Sequence, residues 1–158
     1  MSRPVLAWVL TTQDVSILRP HLKMLAVDYL CYDHLGCDRG TDPCCRLCQT
    51  FSNHPAPAED MVHLLARCRA TEDIRNRVLP DLMNILAKFH LTNRLLSASS
   101  HDHLTQFILD CSSLNLPNDI RVPPNHMGFI SITKQCSCLV FAIHKERTRQ
   151  LKAMDLLA

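Results

Sequence analysis

Cys45-Arg46-Leu47-Cys48, followed after a fourteen-residue gap by His63-Leu64-Leu65-Ala66-Arg67-Cys68, decides how this chain reads. The arrangement is C-x2-C-x14-H-x4-C, three thiols and one imidazole, the donor set of a closed structural zinc site. Zinc takes four N/S ligands tetrahedrally, at roughly 2.0–2.3 Å. A two-residue gap lets a tight turn bring the sulfurs of Cys45 and Cys48 to one ion. The longer gap can loop out and return, because loop-closure cost grows slowly with length.

His63 and Cys68 are five apart, which places them about 140° apart around an ideal α-helix. Ligands on one uninterrupted helical face are three or four apart. The spacing therefore predicts a helix that carries His63 and ends near Cys68, with the last ligand at or beyond its final turn. That helix can begin at Glu59-Asp60, acids suited to a helix N-terminus, after a loop over 50–58 marked by Asn53, Pro55 and Pro57. Leu64 and Leu65 should turn inward. Nine cysteines and nine histidines also make some such pairs by chance. Cys44 and His54 are rival ligands, although Cys44 gives a less favoured C-x3-C turn and His54 sits among prolines.

A longer pattern surrounds this motif. It takes in Ser2-Arg3-Pro4-Val5-Leu6-Ala7-Trp8, Leu18-Arg19-Pro20-His21-Leu22-Lys23 and Asp28-Tyr29-Leu30-Cys31. Asp42-Pro43-Cys44-Cys45-Arg46-Leu47-Cys48 and Glu59-Asp60-Met61-Val62-His63 follow, then Phe107-Ile108-Leu109-Asp110, Leu116-Pro117 and Ile143-His144-Lys145-Glu146-Arg147. Together these resemble the C-terminal tail of the reverse-transcriptase polyprotein of non-LTR (LINE-type) retrotransposons, which ends in a cysteine–histidine zinc motif. The resemblance implies Zn²⁺ on Cys45, Cys48, His63 and Cys68, and nucleic-acid handling during target-primed reverse transcription. The family's polymerase holds its metals on adjacent aspartates, and this sequence has no Asp-Asp pair. Some relatives carry a nuclease after the zinc motif, built on Pro-Asp and a later acid-x-Lys. Pro80-Asp81 is present, but no acid-x-Lys follows it. The resemblance thus implies a fragment without its enzyme.

Composition frames the same reading. The 158 residues are 47% hydrophobic and 20% charged, enough for one buried core. We expect a mainly α fold, a small helical domain with a Cys3His zinc-knuckle-like site. It should comprise an N-terminal helical segment over 1–43, the zinc module over 44–70 and a C-terminal helical segment over 71–158. The three glycines, Gly36, Gly40 and Gly128, are expected in connections. The apolar run over 4–10 is short and no Ala-x-Ala-like site follows it, so it does not read as a signal peptide. An odd count of nine cysteines then argues for reduced thiols and an intracellular protein, nuclear or cytoplasmic. No run reaches the roughly 20 apolar residues of a membrane span.

Helices are expected on both sides of the module. Val15, Leu18, Leu22, Leu25 and Tyr29 share a face. Pro20 should open the main helix, after a short turn to Leu18, and the helix should reach about His34. Thr71 can cap a helix led by Glu72 and Asp73, broken at Pro80 and resumed through Leu82, Ile85, Leu86 and Phe89. Ser99 or Ser100 caps another, with Leu104, Phe107, Ile108 and Cys111 on one face. Residues 115–125 read as a loop. The last helix should run from about 130 to 152, with Ile132, Cys136, Leu139, Val140, Ile143 and Leu151 inward.

Arg46, Arg67 and Arg69, with Arg75 and Arg77 beyond, surround the motif and are the expected contacts to RNA or DNA, although some may merely offset the negative charge of three thiolates around Zn²⁺. A second basic group, Lys134, Lys145, Arg147, Arg149 and Lys152, lies on the last helix. The net charge of +2 does not by itself indicate nucleic acid, and 5% aromatics leave little for base stacking. Contact should be mainly with phosphates. Cys48 with His63 lacks a third orienting residue for thiol catalysis, and His101-Asp102-His103 reads as a solvated cap. The chain is thus expected to be no enzyme and to take no small-molecule substrate. Two alternatives are a protein–protein adaptor whose zinc merely holds the fold, and a disulfide-rich secreted protein.

Overall fold

The computed structural model describes residues 15–25, 42–51, 55–88, 100–110 and 127–154. Apolar residues of the last segment recur at helical spacing, and it forms one long helix, here α5, Met127–Ala153. Ile132, Cys136, Leu139, Val140, Ile143 and Leu151 are all buried along it, as their spacing predicts. Before it come α1 (Val15–Leu25), α2 (Arg46–Gln49), α3 (Glu72–Lys88) and α4 (His101–Leu109). The described residues are mostly helical and contain no strand, only an isolated antiparallel bridge between Cys44 and Ala58.

α5 is the axis of the packing, lying against α1, α3, α4 and the metal-motif segments. Met24 of α1, Leu82 and Leu86 of α3 and Phe107 and Ile108 of α4 bury with its middle turns, joined by Leu64 and Leu65. A second cluster gathers Cys45, Leu47, Cys48, Ala56 and Cys68 under Leu151, near the C-terminal end of α5. One helix therefore supports both the general core and the cysteine motif.

Ser100 caps α4, its hydroxyl accepting from the His103 N–H at 3.2 Å, and His101, Asp102 and His103 are exposed in the first turn. Three expectations are corrected. Pro80 does not break α3, which runs through it. Asn76 and Pro80 are both exposed, so water can serve the carbonyl that the missing N–H leaves over. Pro20 does not open α1 but lies inside it, one turn from its start and buried. Gly128 sits in the first turn of α5 rather than in a connection. The expected reach of α1 to residue 34, with Phe89, Cys111 and the 115–125 loop, lies outside the described residues, as do Gly36 and Gly40.

Candidate metal centre

Two short stretches of backbone pair to build the site. The Cys45 N–H donates to the Pro57 carbonyl at 2.8 Å, and the Glu59 N–H to the Pro43 carbonyl at 2.9 Å. Cys45, extended at φ −63° and ψ 109°, then caps the single turn of α2, and that turn returns Cys48 to the same side. Next, Asp60 caps the following turn, its Oδ1 accepting from the His63 N–H at 2.6 Å and its carbonyl from the Leu64 N–H at 3.0 Å. Asp60 thus plays the N-terminal part its position suggests.

The segment from His63 to Arg67 is a π-helical turn, closed by the Cys68 N–H donating to the His63 carbonyl at 2.7 Å. This i→i+5 bond resolves the spacing problem. Widening the turn by one residue brings ligands five apart onto one side, where an α-helix would separate them. Cys68 itself is extended, at φ −60° and ψ 120°, past the end of the turn as expected. A 3-10 turn, Arg69–Thr71, then leads into α3.

The four side chains converge. Sγ of Cys45, Cys48 and Cys68 and a ring nitrogen of His63 all lie within 4.8 Å of one another, and all four residues are buried. Cys45 and Cys68 sulfurs are 3.9 Å apart, Cys48 and Cys68 3.7 Å, and Cys48 Sγ lies 3.4 Å from His63 Nε2. This cluster can hold a metal ion. Cys44, the rival ligand, is not in it; His54 lies outside the described residues. None of the six described cysteines is in a disulfide.

The surroundings suit ionised sulfur. Backbone N–H groups of Cys48, Arg69 and Ala70 donate to the sulfurs of Cys45, Cys48 and Cys68 respectively, each favouring the thiolate. The hydrogen bond with Cys68, then burial, holds the Cys45 thiol far above its ordinary range. Accepting that bond pulls Cys68 well below its own, helped by His63. Burial pushes Cys48 up. Three thiols this close cannot all ionise alone, and a bound cation is the partner that lets them.

Charged side chains outside the ligand set hold it in place. Arg75, buried, donates through Nη1 to Thr71 Oγ1 at 2.8 Å and through Nη2 to the Cys68 carbonyl at 2.5 Å. Glu59 is fully buried, with Oε2 3.6 Å from Cys45 Sγ, and it receives Arg147 Nη2 at 2.5 Å and Nε at 3.3 Å. Gln150 donates to the Ala70 carbonyl at 3.1 Å. Sequence reasoning grouped Arg75 and Arg147 with the surface bases and gave Glu59 only a helix-terminal role. One signal was available: Arg147 continues the spacing of Val140, Ile143 and Leu151, a charge on an inward stripe.

The three arginines expected to meet nucleic acid divide. Arg67 and Arg69 are exposed and line a cleft of about 540 Å³ whose walls include Cys48 and His63. Arg46 is not among its lining residues and instead joins Asp42 at 3.8 Å and Gln49 at 3.5 Å. His63 Nδ1 is buried without a hydrogen-bond partner. On the last helix, Arg147 is inside and Arg149 pairs with Glu146 at 2.6 Å, while Lys134, Lys145 and Lys152 are exposed. No described helix is long and apolar enough to cross a membrane. No protein-family model, curated protein or solved structure matches the chain.

Proposed function

We propose that this chain is a zinc-stabilised nucleic-acid-binding module of the kind that ends LINE-type reverse-transcriptase polyproteins. It acts on RNA or DNA in the nucleus or cytoplasm, without polymerase or nuclease chemistry of its own. The observation that carries the reading is the Cys3His cluster with Arg67 and Arg69 exposed at its rim. Tetrahedral zinc with bonds of roughly 2.3 Å to sulfur and 2.0 Å to nitrogen implies ligand–ligand edges of about 3.5–3.8 Å. The separations of 3.4, 3.7 and 3.9 Å match those edges. Cys45, Cys48, His63 and Cys68 would hold the ion, whose part is to lock two loops and a π turn together. The absence of an Asp-Asp pair argues against polymerase metals on this chain.

Binding through phosphates releases counterions, so affinity for RNA or DNA should fall steeply with salt. Replacing Arg67 and Arg69 together by Ala should weaken binding to all sequences alike and flatten the log–log salt slope by about two units. Arg46→Ala should add less, since Asp42 already engages that side chain. The variants should stay folded, as exposed charges usually matter by less than about 0.5 kcal/mol. One observation favours the adaptor reading instead: Phe51, just after α2, is 56% exposed. A flat salt slope in the wild-type protein would move the assignment there.

A further inference from the structure

The cleft beside the metal centre is chemically two-sided. Arg67 and Arg69 line it as cations and Asp60 as an anion, with Pro57 and Ala58 between as apolar wall. Asp60 is fixed there, because its Oδ1 is tied to the His63 N–H. A simple anion would gain from the arginines and be repelled by the carboxylate. The pair of charges instead suits a ligand with an anionic end and a hydrogen-bond-donor end. The volume of about 540 Å³ falls in the range of sites for one small-molecule-sized group. His63 also lines the cleft, and its Nδ1 is the buried nitrogen left without a partner.

We propose that this cleft takes one unpaired nucleotide, its phosphate on Arg67 and Arg69 and the amino group of its base on Asp60. The proposal rests on the nucleic-acid reading above and adds a base preference that phosphate contact alone does not give. A carboxylate accepts from the exocyclic amine of cytosine, whereas uracil of the same size offers a carbonyl there. No Phe, Tyr or Trp lines the cleft, so the base is read by its edge rather than by stacking.

Fluorescence anisotropy on the full zinc-loaded chain tests this with short oligocytidine, oligouridine and a duplex at one salt concentration. Oligocytidine should bind about tenfold tighter than oligouridine, the effect of one hydrogen bond to a charged acceptor, and the duplex should bind more weakly than oligocytidine. Asp60→Ser, which keeps a capping hydroxyl, should abolish the preference, so that the two oligonucleotides bind alike. Asp60→Asn keeps the cap with its oxygen and presents its amide N–H₂ to the cleft, so preference should shift toward oligouridine. A cap lost for purely structural reasons would weaken both oligonucleotides and reverse neither. Equal affinity for the two pyrimidine strands, or a preference unmoved in both Asp60 variants, overturns the inference while salt-dependent binding preserves the wider reading. No salt-dependent binding by the wild-type chain sinks both.

Discussion

Glu59 is the residue whose environment says most about how the site is held. A carboxylate at zero exposure is costly unless paired, and here it also faces a sulfur that metal binding makes negative. Arg147 compensates it from α5, far along the chain, with two nitrogens on two oxygens. Breaking such a pair from one side is far more damaging than removing both halves. We therefore expect Arg147→Met to destabilise the zinc-loaded protein by about 3–5 kcal/mol in urea melts, since it strands the buried charge. Glu59→Gln with Arg147→Met should cost well under the sum of the single changes, giving a coupling energy of about 1–3 kcal/mol. Additive losses would show that the two groups merely pack. Arg75, by holding the Cys68 carbonyl, is a second cation on the same centre.

At the scale of elements, His21 ties three helices together. Its Nε2–H donates to the Leu109 carbonyl at the end of α4 at 2.8 Å, and its Nδ1 accepts from the Ser137 hydroxyl of α5. The Leu109 bond persists in the charged ring, but the acceptor role of Nδ1 needs the neutral one, and burial lowers the pKa from the ordinary 6.5 despite the Leu109 carbonyl and Asp110. The sign follows from linkage. Once pH falls below about 6.5 the unfolded chain binds the proton first, so stability drops until the folded ring also titrates and is then constant. Above pH 7 the contribution is fully present. Thermal melts from pH 7.5 down to 5 should show this loss in the wild type, and His21→Gln should flatten it. A parallel decline in both proteins would remove His21 from the account. No sequence pattern announced this clamp, since a histidine two residues before the Lys23 of an amphipathic helix reads equally as surface. The stripes of α4 and α5 were legible because burial imposes a period. Pro20 and Pro80 misled because tertiary packing and solvent can each absorb one lost backbone bond. The convergence of Cys45, Cys48, His63 and Cys68 was legible from spacing, but the π turn that joins His63 to Cys68 was not, since the sequence showed only that an α-helix could not serve.

Across the whole molecule, the long α5 joins two clusters of unlike origin. One is an apolar core of side chains from α1, α3, α4 and α5, joined by Leu64 and Leu65 of the metal motif, and most of its members lie on helices outside residues 44–70. The other is small and built on cysteines that are mutually repulsive once ionised, with Leu47, Ala56 and Leu151 buried against them and Ala70 packed alongside. Structural zinc is worth an apparent 10–16 kcal/mol in small modules, as much as a domain's entire net stability. On the proposed zinc reading, removing the ion should therefore release the second cluster before the first. A chelator should lower the melting temperature and part of the helical signal, and hydrogen exchange should locate the loss. Protection should fall across residues 44–70 and in the last turns of α5 around Arg147, Gln150 and Leu151, which hold that region through Glu59 and Ala70. Amides near Leu82, Leu139 and Ile143 should stay protected, because most of their partners lie on helices outside the motif. Restoring Zn²⁺ should recover the first set and leave the second unmoved. Uniform loss along α5 would mean the long helix depends on the metal throughout, and an unchanged profile would mean the four buried ligands hold no ion that matters to the fold.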